Sequence, residues 1–149
     1  MDEEELLRAK KKAMSLLNYN DRTEWELMDR LSGAGFSEEA VNGAMEYVKS
    51  FHYIDDERYA MRFASIYCQS RSQKRIWQDL TKKHVPEKYI SIALESVEDG
   101  EIKALEKETR KILKGREIEG LSYEEKQKTA AKLYRKGFGT GSIRKYMGL

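Results

Sequence analysis

The stretch Leu31-Ser32-Gly33-Ala34-Gly35-Phe36 returns in altered form as Leu80-Thr81-Lys82-Lys83-His84-Val85 and again as Leu133-Tyr134-Arg135-Lys136-Gly137-Phe138. With Leu31, Leu80 and Leu133 in register, the match continues through Val41, Ile90 and Ile143 to Met45, Leu94 and Met147. Upstream, Thr23 and Ser72 coincide as helix-start residues. Each copy reads as helix, turn, helix, in which the apolar residue after the turn locks the two helices together and the last two columns face a leading helix. The expectation is an all-α chain of about nine helices, arranged as three tandem three-helix, helix-turn-helix-like repeats over 1–52, 53–99 and 100–149. Units joined in series bury less between than within themselves, so an elongated, curved molecule is expected.

Outward from the turns, apolar spacing supplies the helices. Leu6, Ala9, Ala13, Leu16 and Leu17 form one stripe, and Leu27, Met28 and Leu31 a second after the Thr23/Glu26 capping box. Ser37 starts a third helix with Val41, Ala44, Met45 and Val48 inward. In the middle repeat, Asp55 and Asp56 are natural caps before Tyr59, Phe63, Ile66 and Tyr67, Ser72 precedes Ile76, Trp77 and Leu80, and Pro86 fits the first turn of the next helix. Ile102, Leu105, Thr109, Ile112 and Leu113 predict a seventh helix. Ser122 with Glu125 opens an eighth carrying Ala130, Leu133 and Tyr134, and Ile143, Tyr146 and Met147 mark a ninth.

Composition narrows the function classes. The 149 residues are 36% charged with a single proline, and no stretch approaches the roughly 18 apolar residues of a membrane span. The opening MDEEELLRAKKK reads as neither a signal nor a transit peptide, so a cytoplasmic protein is expected. One cysteine and two histidines offer neither a disulfide nor an ordinary zinc site, and no nucleophile–base constellation is visible, so no enzyme, metal or cofactor is expected. The net charge of +2 hides strong segmentation: residues 21–60 carry ten acids against four bases, 61–90 two against seven, and 132–149 five bases and no acid. That pattern suits partners of both signs, such as nucleic acid with an attached protein.

The segment Tyr53-Ile54-Asp55-Asp56-Glu57-Arg58-Tyr59-Ala60, together with the leucine and glycine-aromatic turn of Leu31 to Phe36, resembles the RecX regulatory proteins, bacterial modulators of the recombinase RecA. The likeness runs over roughly the whole chain. Two departures stand out: Arg71-Ser72-Gln73-Lys74-Arg75 lacks a glycine the family usually has, and His84 replaces a turn glycine. The resemblance implies a monomeric, non-enzymatic regulator that lodges in a RecA–DNA filament and hinders ATP hydrolysis, strand exchange and extension during recombination, DNA repair and the SOS response. The alternative is a stand-alone helical DNA-binding module that uses its repeated helix pairs on single- or double-stranded DNA.

Two basic groups are the candidate contacts to RecA or to DNA phosphates: Arg71, Lys74, Arg75, Lys82 and Lys83, and then Lys132, Arg135, Lys136, Arg144 and Lys145. Arg58, inside the signature segment, is taken with them. A solvated helix face is the competing account of both groups. The glycines around Phe138 lack a P-loop lysine and a preceding strand, so they read as an ordinary turn. Asp55, Asp56 and Glu57 are explained by capping rather than metal binding, and Trp25 and Trp77 by packing.

Overall fold

In a computed structural model, which describes residues 2–149, the chain is all-helical: α1 (Glu3–Tyr19), α2 (Glu24–Gly33), α3 (Glu38–Ser50), α4 (Asp56–Tyr67), α5 (Gln73–Lys82), α6 (Glu87–Ser96), α7 (Gly100–Leu113), α8 (Tyr123–Arg135) and α9 (Thr140–Met147), with a 3-10 turn at Ile118–Gly120 before α8. Most helix starts follow the cap chemistry, although α7 and α9 begin after Asp99 and Gly139 without a side-chain cap bond. The Asp2 carboxylate accepts from the Glu4 and Glu5 amides, and Ser37 Oγ accepts from the Ala40 amide. Thr23 and Ser122 close full capping boxes with Glu26 and Glu125. Asp55 caps α4 through the Arg58 amide. Asp56 does not cap its own helix: it is buried, and its carboxylate accepts from the Glu24 amide at the start of α2.

The repeat register is visible in the backbone. Gly35, His84 and Gly137 all have positive φ, at 92°, 60° and 101°. Their amides donate to Ser32, Thr81 and Tyr134 carbonyls three residues back, closing the preceding helix in the same way each time. His84 therefore adopts the left-handed turn that glycine makes without strain in the other two copies.

The chain divides into two compact units, residues 1–60 with 80–90, and residues 61–79 with 91–149. In the first, α1 packs on α3 over a core of Ala9, Ala13, Leu27, Leu31, Ala40, Val41, Ala44, Met45, Val48 and Ile54. Gly43 lets the helices approach, since a Cβ there would lie 2.6 Å from Leu6 Cδ1. Glu5 ties the same pair together by accepting from the Ser37 hydroxyl at 2.6 Å. Arg22, 7% exposed, donates through Nε to the Leu16 carbonyl, which also accepts from the Asn20 amide that closes α1.

In the second unit, Ala104, Leu105, Leu121, Leu133, Phe138, Ile143 and Met147 form one core. The hydroxyls of Thr109 and Thr129, buried in α7 and α8, donate back to the carbonyls of Leu105 and Glu125. Ser122 precedes Leu133 by about one more helical turn than Thr23 precedes Leu31, which absorbs much of the longer second offset.

The inward faces differ from the expectation at five bulky residues. Met28, Ile66, Trp77, Ile102 and Tyr134 are exposed, and the buried positions near them include Ala60, Ala64, Ala104 and Thr129. A residue one position off the stripe points about 100° away from it, and small residues are chosen inside because they permit close helix approach.

Two turn glycines separate backbone strain from crowding. Nothing lies within 4 Å of a Cβ built on Gly35, so Gly35→Ala costs only the backbone term, about 1 kcal/mol. At Gly137 the added Cβ meets Ser72 Oγ at 2.8 Å and Lys74 Cβ at 3.2 Å, so Gly137→Ala costs about 2–3 kcal/mol. Urea unfolding of the two variants checks the order, and equal losses would deny the crowding at Gly137.

Candidate functional site

Of the two basic groups of the sequence, the first is divided between the units and the second lies within one. Arg71, Lys74 and Arg75 belong to the second unit together with Lys132, Arg135, Lys136, Arg144 and Lys145, whereas Lys82, Lys83 and Arg58 belong to the first. The first unit holds 11 bases and 15 acids, and the second 17 bases and 11 acids. The charge that nearly cancels along the chain is therefore polarised between the units.

Within each unit the cations sort by partner. Arg71 is half-buried, with Nη1 2.8 Å from Asp79 Oδ2 and its guanidinium carbon 3.7 Å from the centre of the Tyr67 ring and 5.8 Å from that of Phe63. It joins the ends of α4 and α5 through charge and stacking. Arg75 lies at the 4.0 Å edge of the same carboxylate and is otherwise exposed. Lys83 reaches Glu26 Oε2 at 3.5 Å and also hydrogen-bonds the Tyr59 hydroxyl. Burial pulls the Lys83 ammonium down, yet Tyr59 and Glu26 outweigh it and leave its pKa raised. Lys136 Nζ is 2.7 Å from Glu108 Oε2. Arg58 donates from Nη1 to the His52 carbonyl at the end of α3. Four of the eleven candidates, Arg58, Arg71, Lys83 and Lys136, thus have firm internal partners.

The other side chains face solvent. Lys74, Lys132, Arg135, Arg144 and Lys145 are exposed in the second unit, and Lys82 in the first, with no ion-pair partner among the described residues. Lys74 links the sequence-distant groups, since its Cβ borders Gly137 immediately after Lys136. Lys132 and Arg135 occupy the last turn of α8, and Arg144 and Lys145 the last turn of α9, where cations also complement the helix dipole. Arg144 lines a shallow groove of about 340 Å³ with Tyr134, Ala130, Ala131, Gln127 and Thr140. The groove sets one exposed cation, Arg144, beside the exposed Tyr134 ring, and the other exposed cations lie in the same unit, Lys82 excepted.

Three features were missed from the sequence. Trp25 stacks on His84 with ring centres 4.1 Å apart. Tyr47, Phe51 and Tyr53 form an aromatic cluster at the end of α3, with Lys10 Nζ 4.9 Å from the centre of the Tyr47 ring. Thr23 and Ser72 make second hydrogen bonds beyond capping, to the carbonyls of Lys83 and Lys136. The coincidence of two lysines in one repeat column was the available signal for the last. Among the described residues no cluster of three or more metal-ligating side chains occurs, and no helix is long and apolar enough to cross a membrane.

Acid should act on the two units with opposite sign. Arg116 beside Glu125 holds that carboxyl down at about 2. For Glu108, burial pushes upward but Lys136 and Lys111 prevail, so its pKa is lowered. Stability from a lowered carboxyl is fully present above the ordinary range near 4.5 and is lost as pH falls through the folded value. Burial raises the Asp56 pKa against the opposing Glu24 amide, so protonation relieves a penalty in the first unit. Between about pH 5 and pH 2 the second unit should lose amide protection ahead of the first, as residue-resolved hydrogen exchange would report. Loss in the first unit ahead of the second would contradict these assignments.

Taken together, positive-φ turns at one repeat column, capped helix pairs and charge segregated by unit define a tandem helix-turn-helix-like repeat protein of the all-α class. The family model described as RecX, first three-helix domain, matches residues 9–47, which run from α1 into α3. The chain is 37% identical over 142 residues to the regulatory protein RecX of Caldanaerobacter subterraneus, covering 95% of this chain and 70% of that protein. It is 30% identical over 138 residues to that of Clostridium perfringens, covering 89% and 62% respectively. The chain thus spans about two thirds of the length of these relatives. The crystal structure of RecX from Lactobacillus salivarius matches with a TM-score of 0.83 at 20% identity, over 95% of this chain and 94% of that one, which establishes the same fold. This chain belongs to the RecX regulatory protein family.

Proposed function

We propose that the protein is a non-enzymatic, cytoplasmic regulator that engages the RecA–DNA filament and restrains its ATP hydrolysis, strand exchange and extension. The observation that carries this reading is that Lys74, Lys132, Arg135, Arg144 and Lys145, all exposed, fall in one unit of excess positive charge. Exposed like charges repel one another, and phosphates along a filament relieve that repulsion. The acidic first unit would meet a different surface, the protein component of the filament, because opposite signs steer orientation as well as encounter. Membership of a family of named regulatory proteins supports the regulatory role. A second reading, a stand-alone DNA-binding module acting as a monomer, draws on the same free cations.

Measuring the salt dependence of binding to single-stranded DNA with and without RecA separates the two. The regulator reading expects tight binding and lowered ATP hydrolysis only when RecA coats the strand. Equal affinity for bare and coated strands, with ATP hydrolysis unaltered, would favour the stand-alone module instead.

A further inference from the structure

The helix-start hydroxyls of α2 and α5 do more than cap. Thr23 Oγ1 accepts from the Glu26 amide and donates to the Lys83 carbonyl at 2.9 Å, 60 residues away. Ser72 Oγ accepts from the Arg75 amide and donates to the Lys136 carbonyl at 3.1 Å, 64 residues away. The two hydroxyls occupy one repeat column, and both are fully buried. The two carbonyls also occupy one column, each just before the left-handed residue of the next turn, His84 or Gly137. Both lysines anchor their side chains on a glutamate, Lys83 on Glu26 and Lys136 on Glu108. The residue two after each hydroxyl covers the same turn: Trp25 stacks on His84, and Lys74 borders Gly137. One bond of this kind is an incident of packing; two at equivalent positions, with equivalent neighbours, are a repeated device.

We infer that these groups form a latch repeated down the chain, in which the helix-start hydroxyl of one repeat holds the turn carbonyl of the next, and that Lys83 and Lys136 serve the latch rather than an anionic partner. A hydroxyl can do both jobs at once because it has one proton to donate and lone pairs left to accept. The division of the chain follows the latches, since the α5–α6 turn belongs with the first repeat's helices and the start of α5 belongs with the third repeat. Ser122 is the contrasting case. It caps α8, but its hydroxyl is exposed and makes no bond to a distant carbonyl among the described residues.

The test does not depend on RecA. Ser72→Ala removes cap and latch together, whereas Ser122→Ala removes a cap alone. Hydrogen exchange is read at the Gly137 and Phe138 amides, which close the α8–α9 turn onto Tyr134 and Leu133. Ser72→Ala should speed exchange there about tenfold, while Ser122→Ala leaves the ratio of turn to core exchange unchanged. Thr23→Val should do the same to His84 and Val85, and Thr23→Ser should restore protection. If Ser72→Ala fails to fold, Thr23→Val compared with Thr23→Ser still tests the column, because only the serine variant keeps the hydroxyl and only the valine variant should expose the His84 and Val85 amides.

Lys136→Met supplies the second arm, with single-stranded oligothymidylate as the probe. It should raise turn exchange and leave the salt slope of binding unchanged. Unaltered exchange at both distant turns would overturn the latch. A salt slope reduced by about one in Lys136→Met would make that lysine a phosphate contact and overturn its assignment.

Discussion

Reversing Lys132, Arg135, Arg144 and Lys145 to glutamate should weaken binding to a RecA–DNA filament about a hundred- to a thousandfold near physiological salt, with the helices intact. Each neutralised phosphate contributes roughly 0.9 to the slope of log affinity against log salt, so losing four contacts removes most of the dependence. None of the four makes an ion pair among the described residues, so their loss touches folding little, on the order of 1 kcal/mol or less each. The matched control is Lys83→Met with Lys136→Met, which lowers stability through the glutamate partners but keeps the slope. Filament binding across a salt series, with circular dichroism on the same samples, checks both sets. An unchanged slope in the fourfold variant would reduce the C-terminal cluster to a solvated face and remove the main support for the proposed function.

The largest effect on stability is expected at Leu133, the repeat-column leucine of the second unit. Its side chain is fully buried in a core with Phe138, Ile143 and Met147. Leu133→Ala removes those contacts and leaves a cavity that two short helices close poorly, at a cost of about 3–4 kcal/mol. For a chain of this size that corresponds to roughly 6–15 °C in Tm. Tyr134→Ala, the adjacent residue on the same helix, should stay within about 0.5 kcal/mol because Tyr134 is 62% exposed. Thermal unfolding of the pair checks the contrast, and similar losses at both positions would mean that the inward face of α8 is wrongly assigned.

Truncating the third repeat is a poorer probe than its sequence position suggests. Residues 61–79 pack in the same unit as residues 91–149, and Ser72 bonds Lys136, so removing the last helices strips partners from the middle repeat as well. Substitutions confined to exposed cations avoid that confusion.

The helices, their starts and the repeat register were legible from residue order because each is a local matter. A cap bonds within three residues, an apolar stripe recurs every three or four, and a turn column needs one residue able to take positive φ. Thr23, Ser122 and Gly137 could therefore be placed from their neighbours alone, and His84 could be placed by register although its side chain gave no hint of the left-handed turn. The fate of the charged residues was not legible, because an ion pair joins positions whose separation along the chain carries no signal. Lys82 and Lys83 are adjacent and chemically identical, yet one faces solvent while the other lies between Glu26 and Tyr59. Lys136 sits among five uncompensated bases in the sequence and finds its carboxylate 28 residues back on α7. Helix formation depends on the next turn of chain, whereas desolvation and pairing depend on whatever folding brings alongside, and this is why the basic residues could be named from the sequence but not sorted into latch and surface.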